Sequence, residues 1–204
     1  MSSALTPEGF ARMAGVSRET QNRLVRHLDL LRRWQRRINL TSAATLDDPW
    51  RRHVLDSAQL APLVRAGARL ADLGSGAGFP GLVLAILRGG PVHLIESDER
   101  KAAFLREAVR VTEAPAEVHN ARAESLDLKA DVVTARACAP LDRLLGLAVP
   151  LLAPGGVCLF LKGARVEEEI AAARSGWRMA LRRHRSRTAP GGVVLEVTGV
   201  SRAA

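Results

Sequence analysis

The sequence predicts an α/β fold: a mostly parallel sheet of seven strands, with helices on its faces and a helical extension before it. Three observations predict it. From residue 69 onward, short apolar runs alternate with segments of helical length. The first run passes directly into a glycine-rich turn, ADLGSGAGFPG at 71–81. The last two runs are joined by TAPGG at 188–192, which is typical of a hairpin and not of another crossover.

Composition indicates one folded unit that meets an acidic partner. The chain has 204 residues and is 47% apolar, enough for one sizeable core but short for two full domains. Its net charge is +9, and lysine occurs only at Lys101, Lys129 and Lys162, so nearly all the positive charge is arginine. Arginine suits phosphate recognition because its planar fork contacts two oxygens at once. A genome rich in arginine codons explains the same bias equally well.

Cysteine and histidine usage argues against a disulfide framework and a metal centre. The two cysteines, Cys138 and Cys158, are too few for a scaffold, and the five histidines lack the H-E-x-x-H type of ligand spacing. The N-terminus has no apolar core of a signal peptide, and prolines and glycines interrupt the apolar run 144–161. We therefore expect a cytoplasmic protein without a metal, and we expect it to be a monomer.

The first third of the chain is predicted to be helical and basic. Apolar residues recur at three- and four-residue spacing from Leu24 to Ile38, which predicts a helix over 18–38 with Ser17 as its N-cap. A second helix is expected to begin at Asp48-Pro49 and to run to about residue 64. We therefore divide the chain into a helical extension, 1–66, packed on a core unit, 67–204.

The rest of the chain alternates strands with helices. Strands are predicted at 69–73, 92–96, 116–119, 130–135 and 157–161. Helices are predicted at 80–88, 99–112, 140–152 and 166–174. A final hairpin is expected to pair 177–187 with 193–200. Five parallel strands closed by a hairpin resemble the class I, Rossmann-like fold of S-adenosylmethionine-dependent methyltransferases.

The glycine turn allows two interpretations. Gly76, Gly78 and Gly81 form the G-x-G-x-x-G of a dinucleotide site. Counted from Asp72, the same stretch is D-x-G-x-G-x-G, the loop that a methyltransferase folds around S-adenosylmethionine. Both interpretations need an acid about twenty residues on to accept hydrogen bonds from ribose hydroxyls, and Glu96 meets that need.

Three details favour the methyl donor. Asp72 lies just before the glycines, where a carboxylate can reach the amino acid end of the ligand directly or through water. Ala123 and Glu124 follow the third strand, where methyltransferases place residues around adenine. The chain after the turn is also too short for a separate hydride-acceptor domain. The candidate cofactor residues are Asp72, Gly74, Gly76, Gly78, Phe79, Glu96, Ala123, Glu124 and Arg136.

Longer strings carry a family resemblance. They are RRINLTS (36–42), RRHVLDSAQLAPL (51–63), DLGSGAGFPGLVLAI (72–86), ESDERKAAFLREA (96–108), NARAESL (120–126), ARACAPLDRLL (135–145) and LAPGGVCLFLKG (152–163). In this order they resemble the ribosomal RNA small subunit methyltransferase G family, also called glucose-inhibited division protein B. The resemblance implies methylation of a guanine N7 in small-subunit (16S) ribosomal RNA, with S-adenosylmethionine as cofactor and the RNA or ribosomal subunit as partner.

The resemblance also implies roles for particular residues. Gly74, Phe79, Ala123, Glu124 and Arg136 would contact the cofactor, and Arg136 would also lie nearest the reacting guanine. The family's N-terminal signature at the mouth of the pocket corresponds to Asn39, His53, Asp56 and Ser57. Without function, the same signature is helix capping plus a packed His53–Asp56 pair at i, i+3.

Other basic residues are candidates for contacts with RNA. Lys162 ends the fifth strand at the same sheet edge, where it would meet a phosphate. The family often carries an arginine before the last strand, where this chain has APGGVVLEV, so Arg185 or Arg187 would have to supply that contact. Arginines of the first helix and of 178–187 are further candidates, and a solvated basic face is the alternative.

The sequence leaves rival functions open. Guanine N7 needs no deprotonation, and the chain lacks the N-P-P-Y or D-P-P-Y motif of amino-group methyltransferases. Cys138 stands where C5-pyrimidine enzymes carry a nucleophile, but its alanine neighbours favour a small buried thiol. The alternatives are a methyltransferase acting on another RNA atom or a small molecule, an NAD(P)-dependent oxidoreductase, and a non-catalytic RNA-binding protein.

Overall fold

The computed structural model describes residues 4–203, and its centre is one seven-stranded sheet. The strands are β1 Leu70–Leu73, β2 Val92–Ile95, β3 Ala116–His119, β4 Ala130–Arg136, β5 Leu152–Lys162, β6 Trp177–Arg185 and β7 Val193–Arg202. They lie in the order β3-β2-β1-β4-β5-β7-β6. Strands β1 to β5 are parallel, whereas β7 is antiparallel to both β5 and β6. The predicted α/β class, strand number and closing hairpin are confirmed.

The strand order creates the position for a ligand. From β1 the chain proceeds outward to β2 and β3, then returns to the other side of β1 as β4. The loops after β1 and β4 therefore diverge, and they leave a crevice at the carboxyl ends of these strands. The glycine-rich turn follows β1 and borders this crevice.

Seven α-helical segments accompany the sheet in the described part of the chain. They are α1 Pro7–Ala14, α2 Arg18–Gln35, α3 Asp56–Ala58, α4 Gly81–Arg88, α5 Glu99–Thr112, α6 Leu141–Ala148 and α7 Val166–Ala173. The predicted bounds agree to within one residue for α4, α5 and α7. Helix α6 ends earlier than predicted, because Pro150 lies in a 3₁₀ turn at Val149–Leu151 and the chain then enters β5 at Leu152.

The N-terminal extension differs most from the prediction. Helix α1 was not predicted, although Thr6 caps it, Pro7 begins it and Gly15 ends it with φ 63°. The predicted second helix is broken into a π-helix, Trp50–Leu55, the short α3 and a 3₁₀ turn, Ala61–Leu63. Pro62 lies in the last piece and has no N–H to continue an α-helix.

Helix α2 anchors the extension on the sheet domain. Its buried leucines, Leu24, Leu28 and Leu31, belong to the same hydrophobic cluster as α4 and the β1–β2 face of the sheet. Trp34 meets Phe104 of α5 edge-on at 5.8 Å between ring centroids. Within residues 4–203, no helix combines the length and the apolar content needed to cross a membrane.

Candidate functional site

A cavity of about 990 Å³ opens at the carboxyl edge of the sheet. The loops after β1, β2, β4 and β5 form its floor, and the segment 40–56 and the hairpin turn 186–189 form its walls. Among the predicted site residues, those that line it are Gly74, Gly76, Phe79, Glu96, Arg136, His53, Asp56 and Lys162. Asp72, Gly78, Ala123, Glu124, Asn39, Ser57 and Arg185 are not part of the lining. Tertiary structure thus gathers residues that are more than 100 positions apart in sequence.

The glycine turn contains backbone conformations that residues other than glycine adopt only with strain. Gly74, Gly76 and Gly78 have φ of 61°, 52° and 87°. Gly74 also lacks space, since a Cβ there would lie 2.5 Å from the Sγ of Cys138. Gly78 faces the protein interior, where a Cβ would lie 3.0 Å from the Cβ of Leu82. Gly74 and Gly76 therefore expose their backbone atoms to the cavity, whereas the lack of a side chain at Gly78 makes room for Leu82.

Asp72 supports the turn from behind. Its side chain is fully buried, accepts a 2.7 Å hydrogen bond from the Thr134 hydroxyl and accepts a 3.1 Å bond from the Gly81 N–H. Burial raises the pKa of Asp72 from 3.8 to about 6, against the effect of these hydrogen bonds. The predicted direct reach of Asp72 into the ligand site is not what the structure shows. Its carboxylate instead joins β1 to β4 and to the start of α4.

Glu96 connects the glycine turn to the end of β2. Its Oε2 accepts a 3.0 Å hydrogen bond from the Gly76 N–H, and its Oε1 accepts a 2.9 Å bond from the Asp98 N–H. Asp98 in turn caps α5 by accepting hydrogen bonds from the N–H groups of Arg100 and Lys101. Each carboxylate oxygen keeps a second lone pair, so Glu96 remains an acceptor at the edge of the cavity.

Phe79 carries a stack of aromatic and cationic groups. The ring of His53 lies 4.6 Å from the Phe79 ring at an interplanar angle of 13°, and the guanidinium carbon of Arg136 lies 5.0 Å from the same ring centroid. A cation so placed is attracted by the negative face of the ring. On the N-terminal side, His27 packs against Phe79 and bonds through Nε2 to the Ala77 carbonyl at 2.8 Å. The stack fixes both the turn and Arg136.

Arg136 is a largely buried cation that joins the end of β4 to the segment 40–56. Its Nη1 donates to the Arg52 carbonyl at 3.0 Å and lies 3.5 Å from Asp56 Oδ2. Burial lowers the pKa of Arg136, and the attraction of Asp56 opposes that effect. The arginine remains charged, because its ordinary pKa is so high. Its side chain lines the cavity, and the contact with cofactor or guanine that the family resemblance implies stays a prediction.

Asp56 also holds the hairpin turn, which the sequence did not reveal. Its Oδ1 accepts a hydrogen bond from the Thr188 hydroxyl and a 2.9 Å bond from Gln59 Nε2. The Gln59 Oε1 accepts a 2.9 Å bond from the Arg187 N–H. Thr188 and Gln59 lie 132 and 128 positions from their partners, so no local pattern could have identified them.

His53 is a neutral group that does not pair with Asp56. Its Nε2 bonds to the Thr45 hydroxyl at 3.0 Å, while its buried Nδ1 has no hydrogen-bond partner among the described residues. Burial lowers the pKa of His53 from 6.5 to about 3, helped by the charges of Arg136 and Arg52. The alternative of a packed His53–Asp56 pair is therefore wrong, because both side chains are engaged elsewhere.

Several predicted residues lie beside the cavity, not in it. Ser57 is buried and donates to the His53 carbonyl at 2.7 Å, so it stabilises the helical break. Asn39 is exposed next to Gln35, whose side chain bonds the backbone of Leu40 and Thr41. Ala123 and Glu124 form the turn after β3, Ala123 buried and Glu124 exposed. Arg185 is exposed at the end of β6.

Lys162 is tied to the protein and is not a free cation. Its Nζ donates to Glu169 Oε2 at 2.6 Å and to the Ala139 carbonyl at 2.8 Å, and the same carboxylate oxygen accepts the Leu141 N–H. The expected phosphate contact would have to displace this arrangement. Lys162 therefore positions the loop after β4.

Cys138 lies in that loop and is exposed, so the expectation of a buried thiol is wrong. Ala137, with φ 49°, turns the chain outward just before it. The Sγ itself is partly shielded against Gly74, and this burial raises the pKa of the Cys138 thiol. A raised pKa disfavours the thiolate that a nucleophilic mechanism would need.

Sheet topology and comparison with known proteins decide between the two interpretations of the glycine turn. A dinucleotide fold has the order 3-2-1-4-5-6, whereas here the antiparallel β7 lies between β5 and β6. Residues 20–190 match the family model described as rRNA small subunit methyltransferase G. The chain belongs to this family.

Relatives agree over nearly the whole length. Ribosomal RNA small subunit methyltransferase G of Paramagnetospirillum magneticum is 58% identical over 96% of this chain and 97% of its own. The protein of the same name from Rhodospirillum rubrum is 53% identical over 98% of this chain and 100% of its own. The matches span the glycine turn, the Phe79 stack and the hairpin, so the whole cavity lies within the shared region.

Solved structures with low sequence identity share the fold. A putative O-methyltransferase from Klebsiella pneumoniae has a TM-score of 0.59 at 16% identity, covering 86% of this chain and 89% of that one. M. jannaschii TYW2, solved in complex with AdoMet, has a TM-score of 0.56 at 18% identity, covering 82% and 80%. The predicted class I methyltransferase fold is therefore confirmed.

Proposed function

We propose that this chain transfers the methyl group of S-adenosylmethionine to N7 of a guanine in small-subunit ribosomal RNA. The observation that carries the proposal is the cavity itself, because every residue that lines it except Val193 lies within residues 20–190, which match the rRNA small subunit methyltransferase G family model. One side of the cavity is the glycine turn with Glu96, and the other is the Phe79 stack with Arg136. Such an enzyme would work in the cytoplasm, where ribosomes are assembled.

The glycine side suits the cofactor. Gly74 and Gly76 leave their backbone bare toward the cavity, and a Cβ at Gly76 would meet no atom closer than 3.7 Å, so a ligand can approach there. The free lone pairs of Glu96 would accept hydrogen bonds from the ribose hydroxyls. Ala123 and Glu124 remain proposed for the adenine side, beyond the end of β3. The bound cofactor would supply an electrophilic methyl group on a sulfonium.

The Arg136 side suits the guanine. Guanine N7 carries an in-plane lone pair and no proton, so the site needs no general base. The nearby titratable groups fit this requirement: Asp72 is engaged in two hydrogen bonds behind the turn, and His53 is a weak base with a pKa of about 3. Arg136 would hydrogen-bond the base or the methionine carboxylate and so align the reacting atoms. Alignment alone is worth up to about 7–11 kcal/mol of the barrier.

A second groove provides a surface for the RNA backbone. It measures about 700 Å³, and its polar rim contains Arg33, Arg36, Arg37 and Arg100 around an apolar floor with Trp34 and Ile38. Glu107 lies in the same groove, but none of these four arginines forms an ion pair with any residue in 4–203, so the groove presents an excess of positive charge to phosphates. Together with the net charge of +9, the groove indicates an anionic polymer as substrate.

The experiment uses labelled S-adenosylmethionine and small subunits that lack the methyl mark. We expect label in the RNA at a guanine whose N7-methylation is revealed by alkali-induced strand scission. Naked ribosomal RNA serves as a second substrate to define whether assembly is needed. Arg136→Ala is expected to abolish the label, whereas Arg143→Ala, on exposed α6 surface away from the cavity lining, keeps it. Label at an exocyclic amine, or none, would refute the proposal.

Cofactor binding has its own test. S-adenosylhomocysteine is expected to raise the thermal unfolding midpoint of the protein by mass action, and NADH is expected to leave it unchanged. The reverse result would restore the oxidoreductase interpretation of the glycine turn.

A further inference from the structure

Two histidines and a glutamate meet on the outer part of the sheet, away from the cavity. His93 lies in β2, and Glu117 and His119 lie in the neighbouring strand β3. His93 is opposite Glu117 in the parallel register, and His119 follows two residues after Glu117, so the three side chains project from the same face. We call these three residues the edge triad. None of them lines the cavity.

The ligand atoms of the edge triad converge on one point. His93 Nδ1 lies 2.9 Å from His119 Nε2. Glu117 Oε2 lies 3.6 Å from His93 Nδ1, and Glu117 Oε1 lies 3.8 Å from His119 Nε2. Zinc bonds of about 2.0–2.1 Å in a tetrahedron place neighbouring ligand atoms about 3.3 Å apart. The separation of the two nitrogens and that of Glu117 Oε2 from His93 Nδ1 lie near this value, and one ligand atom from each of the three residues lies within 4.8 Å of the other two.

We propose that His93, Glu117 and His119 bind a divalent zinc ion. Two imidazoles and a carboxylate form a donor set that zinc takes in proteins with three protein ligands, the fourth position being left to water. The exposure of the triad provides that position, since the Glu117 side chain is 68% exposed and the two histidines are 25% and 19% exposed. Magnesium is disfavoured, because it prefers oxygen ligands alone.

The place of the triad suggests what the ion does. Strand β3 is the edge strand of the sheet and contains only four residues, none of them fully buried. An ion held by one ligand from β2 and two from β3 would clip the edge strand to its neighbour and blunt the exposed edge. In this role the ion would act on the sheet edge and not on methyl transfer, so its test does not depend on the proposed function.

Zinc binding to the tag-free protein, stripped of metal with a chelator, tests the proposal by isothermal titration calorimetry. We expect one zinc per chain and no binding of magnesium. The double variant His93→Gln, His119→Gln is expected to lose the site, and Glu117→Gln to bind more than about tenfold more weakly. His184→Gln is the matched control, because His184 also bonds a glutamate, Glu196, but lies in β6 at the opposite edge of the sheet.

Two further measurements distinguish loss of the zinc site from loss of the folded structure. Cobalt in place of zinc is expected to give the intense visible absorption of a four-coordinate ion in the wild type and in His184→Gln, but not in the double variant. Zinc is expected to raise the thermal unfolding midpoint of the wild type, and the rise should grow with the logarithm of the free zinc concentration once that concentration exceeds the dissociation constant. Equal zinc binding by the wild type and a double variant with native circular dichroism would overturn the proposal, as would a wild type without saturable zinc binding.

Discussion

Replacing Asp72 by asparagine isolates the free energy of burying one carboxylate. The Asp72 side chain is fully buried behind the glycine turn, and burial raises its pKa from 3.8 to about 6. Asparagine has nearly the same shape, and its carbonyl oxygen can still accept the Gly81 N–H while its amide group faces the Thr134 hydroxyl. The substitution therefore removes the titration and keeps most of the packing.

The magnitude follows from the pKa. Each pKa unit corresponds to about 1.4 kcal/mol, so full ionisation of Asp72 destabilises the fold by about 3 kcal/mol relative to the protonated form. Between pH 4 and pH 6 the folded protein holds this proton more often than the unfolded chain. The free energy of unfolding therefore falls as pH rises through this window. His27 and His53 act in the opposite sense, because burial lowers their pKa to about 4 and about 3, so they destabilise the fold as pH falls below 6.5.

Urea unfolding of the wild type and of Asp72→Asn at pH 4, 5, 6 and 7 measures the effect. Groups common to both proteins cancel in the difference between their free energies of unfolding. We expect the free energy of unfolding of the wild type, minus that of Asp72→Asn, to fall by about 2–3 kcal/mol from pH 4 to pH 7. Asp131→Asn is the control. Arg69 holds the pKa of Asp131 at about 2, so the difference in free energy of unfolding between the wild type and Asp131→Asn should change little over the same pH range. A flat or rising difference for Asp72→Asn would refute the reasoning.

Three other variants test the turn, the centre of the site and the basic groove. Gly81→Ala places a Cβ 2.6 Å from two buried side-chain carbons and should cost about 1–3 kcal/mol in urea unfolding. Gly163→Ala meets no atom within 4 Å and should change little. Arg136→Lys keeps the charge but loses the planar contacts, so kcat/KM in the methylation assay should fall roughly 10- to 100-fold, and an unchanged value would argue against its placement. Arg37→Ala should weaken RNA binding and reduce the slope of log K against log salt by about one. Arg183→Ala should change neither, because Arg183 is already paired with Glu167. Fluorescence anisotropy at several salt concentrations measures both variants.

The predictions that succeeded rest on local patterns. Strand β1, the turn and α5 were placed correctly, because a short apolar run, positive-φ glycines and the Asp98 cap are each encoded within a few residues. The position of Glu96 beside the glycine turn was also predicted, since its distance from the glycines in sequence is set by one crossover helix, whereas its bond to a ribose stays a prediction. These signals need no knowledge of the rest of the chain.

The failures arise where distant contacts override local preference. The predicted second helix is broken into shorter pieces, and within them His53 stacks on Phe79 while Asp56 bonds the hairpin turn, contacts that no local pattern encodes. Lys162 was expected to contact a phosphate, but it forms an ion pair with Glu169 of the next helix. Helix α1 was missed although its cap and terminal glycine are local, since it is only eight residues long.

By itself, the sequence determined the fold class, the glycine turn with Glu96 beside it, and the family resemblance. Hydrophobic periodicity, the freedom of glycine to adopt positive φ, and motif spacing are all properties of short segments. Only the tertiary structure decided which side chains face the cavity, that Asp72 supports the turn from behind, and that Asp56 joins the extension to the hairpin. It also brought His93 next to Glu117 and His119, at a spacing that matches no motif. The reason is physical: contacts between strands depend on register and strand order, which the whole chain sets together.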